Sequence, residues 1–189
     1  MTMKRQWTRD QLAEHWTLLP EELKLLANKT GATRLGFALL LKAFAYQGRF
    51  PRHMHELPGP AVVHLANQVG VPAELCPSYE WSGRTIKYHR VQIREYLGFR
   101  EATVQDGHEL VDWLVMQVLP NEHREDHVRE AVYERCRAQR IEPPSTGRID
   151  RVPFGVSCVR GALVRRRPGA AWANYPKHAR RTARNRACR

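Results

Sequence analysis

His123 and His127 stand four residues apart, the interval at which two imidazoles on one helix face can share a zinc ion. Between them lie Arg124, Glu125 and Asp126. The zinc-protease arrangement needs a glutamate directly after the first histidine to act as general base, and Arg124 holds that place. His53 and His55 form a His-x-His without a carboxylate set or a third histidine nearby. Both pairs read as solvated surface histidines, so no metal and no cofactor is expected. No Gly-x-Ser-x-Gly elbow, no phosphate loop ending in Gly-Lys-Ser/Thr and no Gly-x-Gly-x-x-Gly turn occurs. The carboxylates are spread as helix-surface charges. These residue types argue against an enzyme.

The segment 84–97 is more informative. At 100° per residue Ile86, Ile93 and Leu97 fall within about 40° of one another and define a buried stripe. Lys87, Arg90 and Arg94 fall within about 60° of one another beside it. A helix with one apolar edge and one basic edge can dock on a core while offering cations to phosphate oxygens or base edges. On pattern alone the plainer reading of Lys87, Arg90 and Arg94 is a solvated charged face, with DNA contact as the alternative. Arg49, Arg52 and Arg100 read as loop or terminus arginines, individually uninformative.

The elements that must position such a helix are themselves helical, because no segment gives a run of strict alternation. Thr8 can cap a first helix with Gln11 at the capping-box spacing. Pro20 suits the first turn of a second, with Glu21 and Glu22 near its positive end and Gly31 as its stop. Leu35–Tyr46 is apolar on nearly every face, which predicts a central buried helix ended by Gly48 and Pro51. After Pro58-Gly59-Pro60 a helix is expected with Val62, Val63, Leu65, Ala66 and Val69 inward, stopped by Gly70 and Pro72. Residues 77–83 read as a connector, and the helix over 84–97 is closed by Gly98. Thr103 caps a helix bearing Leu110, Trp113, Leu114 and Val118. A polar helix over 122–140 carries Val128, Ala131, Val132 and Cys136 on one side. Pro143-Pro144 marks a linker, and Ser145 can cap a last helix.

The chain has 189 residues, 31 Lys and Arg against 19 Asp and Glu, and a formal charge of +12. Residues 1–150 hold 20 of the basic residues and all 19 acids, for a net of +1. Residues 151–189 hold ten Arg and Lys177 with no acid, for a net of +11. The global basicity is thus a property of the C-terminal stretch. That stretch has neither helical nor strand period and cannot bury enough apolar surface to offset its ordering entropy, so disorder is expected. The first 16 residues have no apolar signal core. Leu35–Tyr46 is too short for the roughly 30 Å that needs about 20 residues, so no membrane span is expected. Cys76, Cys136, Cys158 and Cys188 form no C-x-x-C pair and read as free thiols in a reducing cytoplasm.

At Arg34-Leu35-Gly36-Phe37-Ala38 the chain becomes specific. With Tyr46, Gly48, Gln68-Val69-Gly70-Val71, Glu95-Tyr96-Leu97-Gly98-Phe99 and Trp113-Leu114, it resembles the N-terminal domain of Tn-three-type bacterial transposases, a domain catalogued as of unknown function. The likeness runs in order over about residues 5–152. It implies an all-α, multi-helix domain that binds double-stranded DNA at the transposon's terminal inverted repeats. In the resembled transposases a distant Asp-Asp-Glu metal site cuts and joins the strands, and nothing in this chain resembles it. The chain therefore reads as a truncated, non-catalytic fragment.

The likeness stops near Val152, where the family continues with something like Tyr-Glu-Glu-Arg-Phe. Residues 153–189 are expected to be a disordered, Arg-rich tail translated out of frame. Val159-Arg160-Gly161-Ala162-Leu163 can be encoded GTA CGA GGA GCG CTT, which from its second base reads Tyr-Glu-Glu-Arg. Two alternatives stay open beside DNA binding: a module that pairs with full-length transposase or a second copy, and a functionless remnant of a decayed mobile element.

Overall fold

A computed structural model describes residues 7–144, which are mostly helical. In chain order the helices are α1 (Arg9–Trp16), α2 (Pro20–Lys24), α3 (Gly31–Gln47), α4 (Gly59–Val69), α5 (Gly83–Leu97), α6 (Val104–Trp113) and α7 (Glu125–Ala138). Short 3₁₀ turns occupy Met54–Glu56 and Ala73–Ser78, and a π turn, Leu114–Val118, extends α6. The architecture is all-α except for one two-residue parallel pair among the described residues. There β1 (Arg100–Glu101) lies beside β2 (Ile141–Glu142), with Arg100 opposite Ile141. The tail expected over 153–189 and the helix expected after Ser145 fall outside the described residues.

The apolar run predicts a central helix, and α3 is that helix: every residue from Leu35 to Phe44 is buried. Around it pack α1, α4, α5 and the Ala73–Ser78 turn. The fully buried stretch Leu35–Phe44 must neutralise its one cation, Lys42, internally. Lys42 Nζ donates to both carboxylate oxygens of Glu22, at 3.1 and 3.2 Å. Glu22 also accepts from the Leu19 amide at 2.7 Å, so the buried pair is hydrogen-bonded beyond itself. Gly48 closes α3 at φ 70°, and its N–H donates to the Phe44 carbonyl at 2.7 Å.

Gly36 has a tertiary reason. A Cβ there would stand 2.3 Å from the ring of Tyr79, so only glycine lets that ring lie on the α3 backbone. Tyr79 belongs to the stretch that reads as a connector, yet it is buried in the core. Its hydroxyl lies 2.8 Å from His89 Nδ1, and the two rings stack with centroids 5.8 Å apart. His89 in turn meets Phe37 edge-on at 5.1 Å.

Two boundaries and one inward residue differ from the sequence expectation. Gly31 opens α3 rather than ending α2. After one turn of α2 the chain tightens into i→i+3 bonds, and Lys29 Nζ takes the Leu25 carbonyl at 2.8 Å that a continuing helix would bond. Val63 is 52% exposed, because Ala61, Leu65 and Val69 form the buried stripe of α4 and Val63 projects away from it. The seventh helix starts at Glu125, since the Glu122 carboxylate accepts from the amides of His123 and Arg124 at 2.9 and 2.8 Å and ends the preceding turn. Elsewhere the caps agree: Thr8 with Gln11 and Thr103 with Asp106 form capping boxes on α1 and α6.

The α6–α7 region buries Leu110, Leu114, Val128, Val132 and Cys136, which do not join the cluster around α3. Polar contacts tie it to that cluster. Arg137 donates to the Gln47 carbonyl at 2.8 Å, and Arg140 to the Leu97 carbonyl at 3.1 Å. Arg94 pairs with Glu142 beside the β1–β2 ladder. Cys76 and Cys136 are free and buried, and burial pushes the Cys136 thiol up to about 11.

Candidate nucleic-acid interface

The amphipathic pattern of 84–97 survives in three dimensions. Ile86, His89 and Ile93 face the core from α5, with Leu97 half-buried at its end. Ser82 precedes the helix, and Glu80 folds its carboxylate against Gly83, where it complements the positive end of the helix dipole.

The basic stripe is divided by its surroundings. Lys87 is exposed and makes no hydrogen bond or ion pair among the described residues. Arg90 turns inward: its Nη2 donates to the Pro51 carbonyl at 3.3 Å, and its guanidinium lies 5.2 Å from the centre of the Phe50 ring. The Arg94 side chain is only 13% exposed; it pairs with Glu142 and lies 3.6 Å from Glu101. One helix face thus holds all three residues, but the β1 and β2 carboxylates claim its C-terminal end. That outcome depends on residues about fifty positions downstream, beyond what a helical wheel sees.

Arg84 joins Lys87 on the outer side, one helical turn away and also exposed. Tyr88 and Val91 share this side at 59% and 39% exposure. Two cations flanking an exposed ring and a methyl pair can meet phosphates with the first and base or sugar surface with the second.

The structure also joins residues that sequence reasoning left separate. Arg49 and Arg52, from the loop after α3, stand with Arg90 around one cleft. The signal was the run Arg49-Phe50-Pro51-Arg52 directly after a helix stop. Glu56 holds this loop, accepting from Arg49 at 2.8 Å and from the Arg52 amide at 2.9 Å. Burial opposes its ionisation, but these hydrogen bonds and the two arginine charges keep its carboxyl below the ordinary range.

The histidine pair does not share a helix face, because His123 precedes α7. His127 Nδ1 lies 2.7 Å from Glu122 Oε2 instead. The amide of Arg124, then His127, hold the Glu122 carboxyl below its usual range. Among the described residues no group of three or more His, Cys, Asp or Glu side chains is placed to hold a metal ion. No helix among them is long and apolar enough to cross a membrane.

Fold and surface together define an all-α domain that displays one amphipathic helix with a basic, partly aromatic outer side. Residues 1–153 match the family described as a domain of unknown function, DUF4158, and the chain belongs to that family. The transposase for transposon Tn3926 of Escherichia coli is 28% identical to it over 145 residues. That match covers 76% of this chain and 14% of the transposase, so the chain spans a small part of its relative's length. The transposase resemblance read from the sequence stands, and the domain is transposase-related.

Proposed function

We propose that residues 5–152 form a DNA-binding module of a Tn-three-type transposase, engaging the terminal inverted repeats during DNA transposition. The observation that carries this reading is the 28% identity with a transposase along 145 residues. The outer side of α5 supports the location, with Lys87 and Arg84 as phosphate contacts beside Tyr88. Arg94 acts as a positioning residue that ties α5 to β2. Arg90 serves the flank next to it. The chain acts by binding, with no catalytic residue assigned to it. Residues 153–189, taken as an out-of-frame tail, add only nonspecific phosphate attraction, a division that the end of the family match at residue 153 supports.

The test is salt-dependent binding of the full chain to a terminal-repeat duplex and to a scrambled duplex. Preference for the repeat is expected and should persist in a chain ending at residue 152. Lys87→Ala should lower the salt slope by about 1 on both duplexes. Indistinguishable affinity for the two duplexes at every salt concentration overturns the reading.

A second reading is favoured by Val104 and Met116, which are 68% and 69% exposed on α6 and its π turn. Exposed apolar side chains of this kind suit packing on full-length transposase or another copy of this chain. Co-purification with the transposase after nuclease treatment supports this role, and association only through DNA removes it.

A further inference from the structure

Along the inner flank of α5 runs a cleft of about 110 Å³ whose lining includes Arg49, Phe50, Arg52, Arg90, Tyr133 and Glu142. Its walls come from the loop after α3, from α5, and from α7 with the β2 segment, so the cleft exists only where these three meet. Two guanidinium groups are held by rings: Arg90 at 5.2 Å from the Phe50 centroid and Arg49 at 5.9 Å from that of Tyr133. Aromatic faces orient a planar guanidinium without using its N–H donors.

The donors are only partly used. Arg49 gives Nη1 to Glu56, and Arg90 gives Nη2 to the Pro51 carbonyl. The Nε of Arg90 is buried and has no hydrogen-bond partner among the described residues. Arg52 is exposed, and its side chain makes no hydrogen bond or ion pair among the described residues. The nearby acids are committed elsewhere, Glu56 to Arg49 and Glu142 to Arg94. Arg52 and Arg90 therefore leave two positive charges uncompensated at the cleft. A cationic recess with unused guanidinium donors is completed by an oxyanion, since charge-assisted bonds from guanidinium to phosphate are among the strongest available.

We propose that this cleft seats one phosphate of the DNA backbone, gripped by Arg52 and Arg90 with Arg49 behind them. The proposal rests on the DNA-binding reading above and adds a contact that α5's outer side does not make. It also gives α7 a role in binding, because Tyr133 and Glu142 form one wall. The cleft is sized for a phosphate group rather than a base pair. Free inorganic phosphate has the same chemistry, so the experiment separates the two sources.

One arm measures binding of the full chain to terminal-repeat and scrambled duplexes across salt. Arg52→Ala should leave the melting temperature unchanged, weaken both duplexes about tenfold near 0.1 M salt and lower the salt slope by about 1. Glu56→Gln, which releases Arg49, should tighten both several-fold. The other arm follows the Arg90 Nε–H resonance by NMR during titration with duplex and, separately, with inorganic phosphate. Duplex should shift it in the wild type and not in Arg52→Ala. If the wild type binds DNA while Arg52→Ala keeps its slope, or duplex leaves the Arg90 resonance unmoved, the cleft proposal falls and the DNA reading stands. If neither duplex binds but inorganic phosphate moves Arg90, the DNA reading fails and the backbone assignment is overturned in favour of a free phosphate site. Failure of both arms removes both.

Discussion

Around α3, side chains from α1, α4 and α5 meet as one apolar cluster, whereas α6 and α7 reach that cluster through arginines and a two-residue strand pair. The first arrangement removes much apolar surface from water and holds its charged and titratable pairs in closed sets, as with Lys42–Glu22 and His89–Tyr79. The second spends little apolar area and relies on donors aimed at carbonyls, such as Arg137 on the C-terminal end of α3. Attachments of that kind are lost and remade locally at lower free energy than a core. The proposed phosphate cleft lies where the two regimes join, so its wall from α7 can respond to what binds there.

The largest expected effect comes from stranding a core charge. Glu22→Ala leaves Lys42 buried without its partner and should destabilise the whole domain by about 3–5 kcal/mol, read as a denaturant midpoint shift common to all probes. Glu22→Leu with Lys42→Met should recover most of that loss. A shift confined to α6–α7 would break the comparison.

Next, Gly36→Ala places a methyl group into the Tyr79 ring and should cost about 1–3 kcal/mol, with near-ultraviolet dichroism reporting the displaced tyrosine. Tyr79→Leu in the same chain should restore part of the stability, because the overlap is with that ring.

Acid should weaken the core region through His89. Burial, aided by the Lys29 charge, lowers its pKa from the ordinary 6.5 to about 4, so the unfolded chain binds the extra proton between those values. Stability contributed by neutral His89 is complete above about pH 6.5 and is lost as pH falls toward 4, on the order of 2–3 kcal/mol. Thermal melts of His89→Gln should lack this component of the slope.

The smallest effect should be the most local. Arg137→Ala removes the donor to the Gln47 carbonyl and should cost about 1–2 kcal/mol. Hydrogen exchange should quicken in α6 and α7 while the slowest amides of α3 keep their protection. Equal loosening of α3 would mean that the two regions form one cooperative unit.

Much of this was legible in local pattern. Full-face apolarity placed α3, Gly48, Gly70 and Gly98 marked the ends of α3, α4 and α5, and the capping threonines Thr8 and Thr103 marked the starts of α1 and α6. The apolar stripe of α5 was also legible, since it depends only on the helical period. Lys87, Arg90 and Arg94 were visible as one stripe, but the separation of an exposed Lys87 from a stacked Arg90 and a paired Arg94 was not. Tyr79 and His89 were passed over because each stands alone in its segment. Their meaning arises from meeting each other against α3.

By itself the sequence determined the helical class, the identity of the central helix, the near neutrality of residues 1–150 and the transposase kinship. Each follows from nearest-neighbour periodicity, composition or ordered motif spacing. The tertiary structure decided why residue 36 is glycine, which cations face solvent, and that arginines 49, 52 and 90 surround one cleft. The physical reason is that a charge's fate depends on acceptors and rings brought near it by distant parts of the chain, which no local pattern encodes.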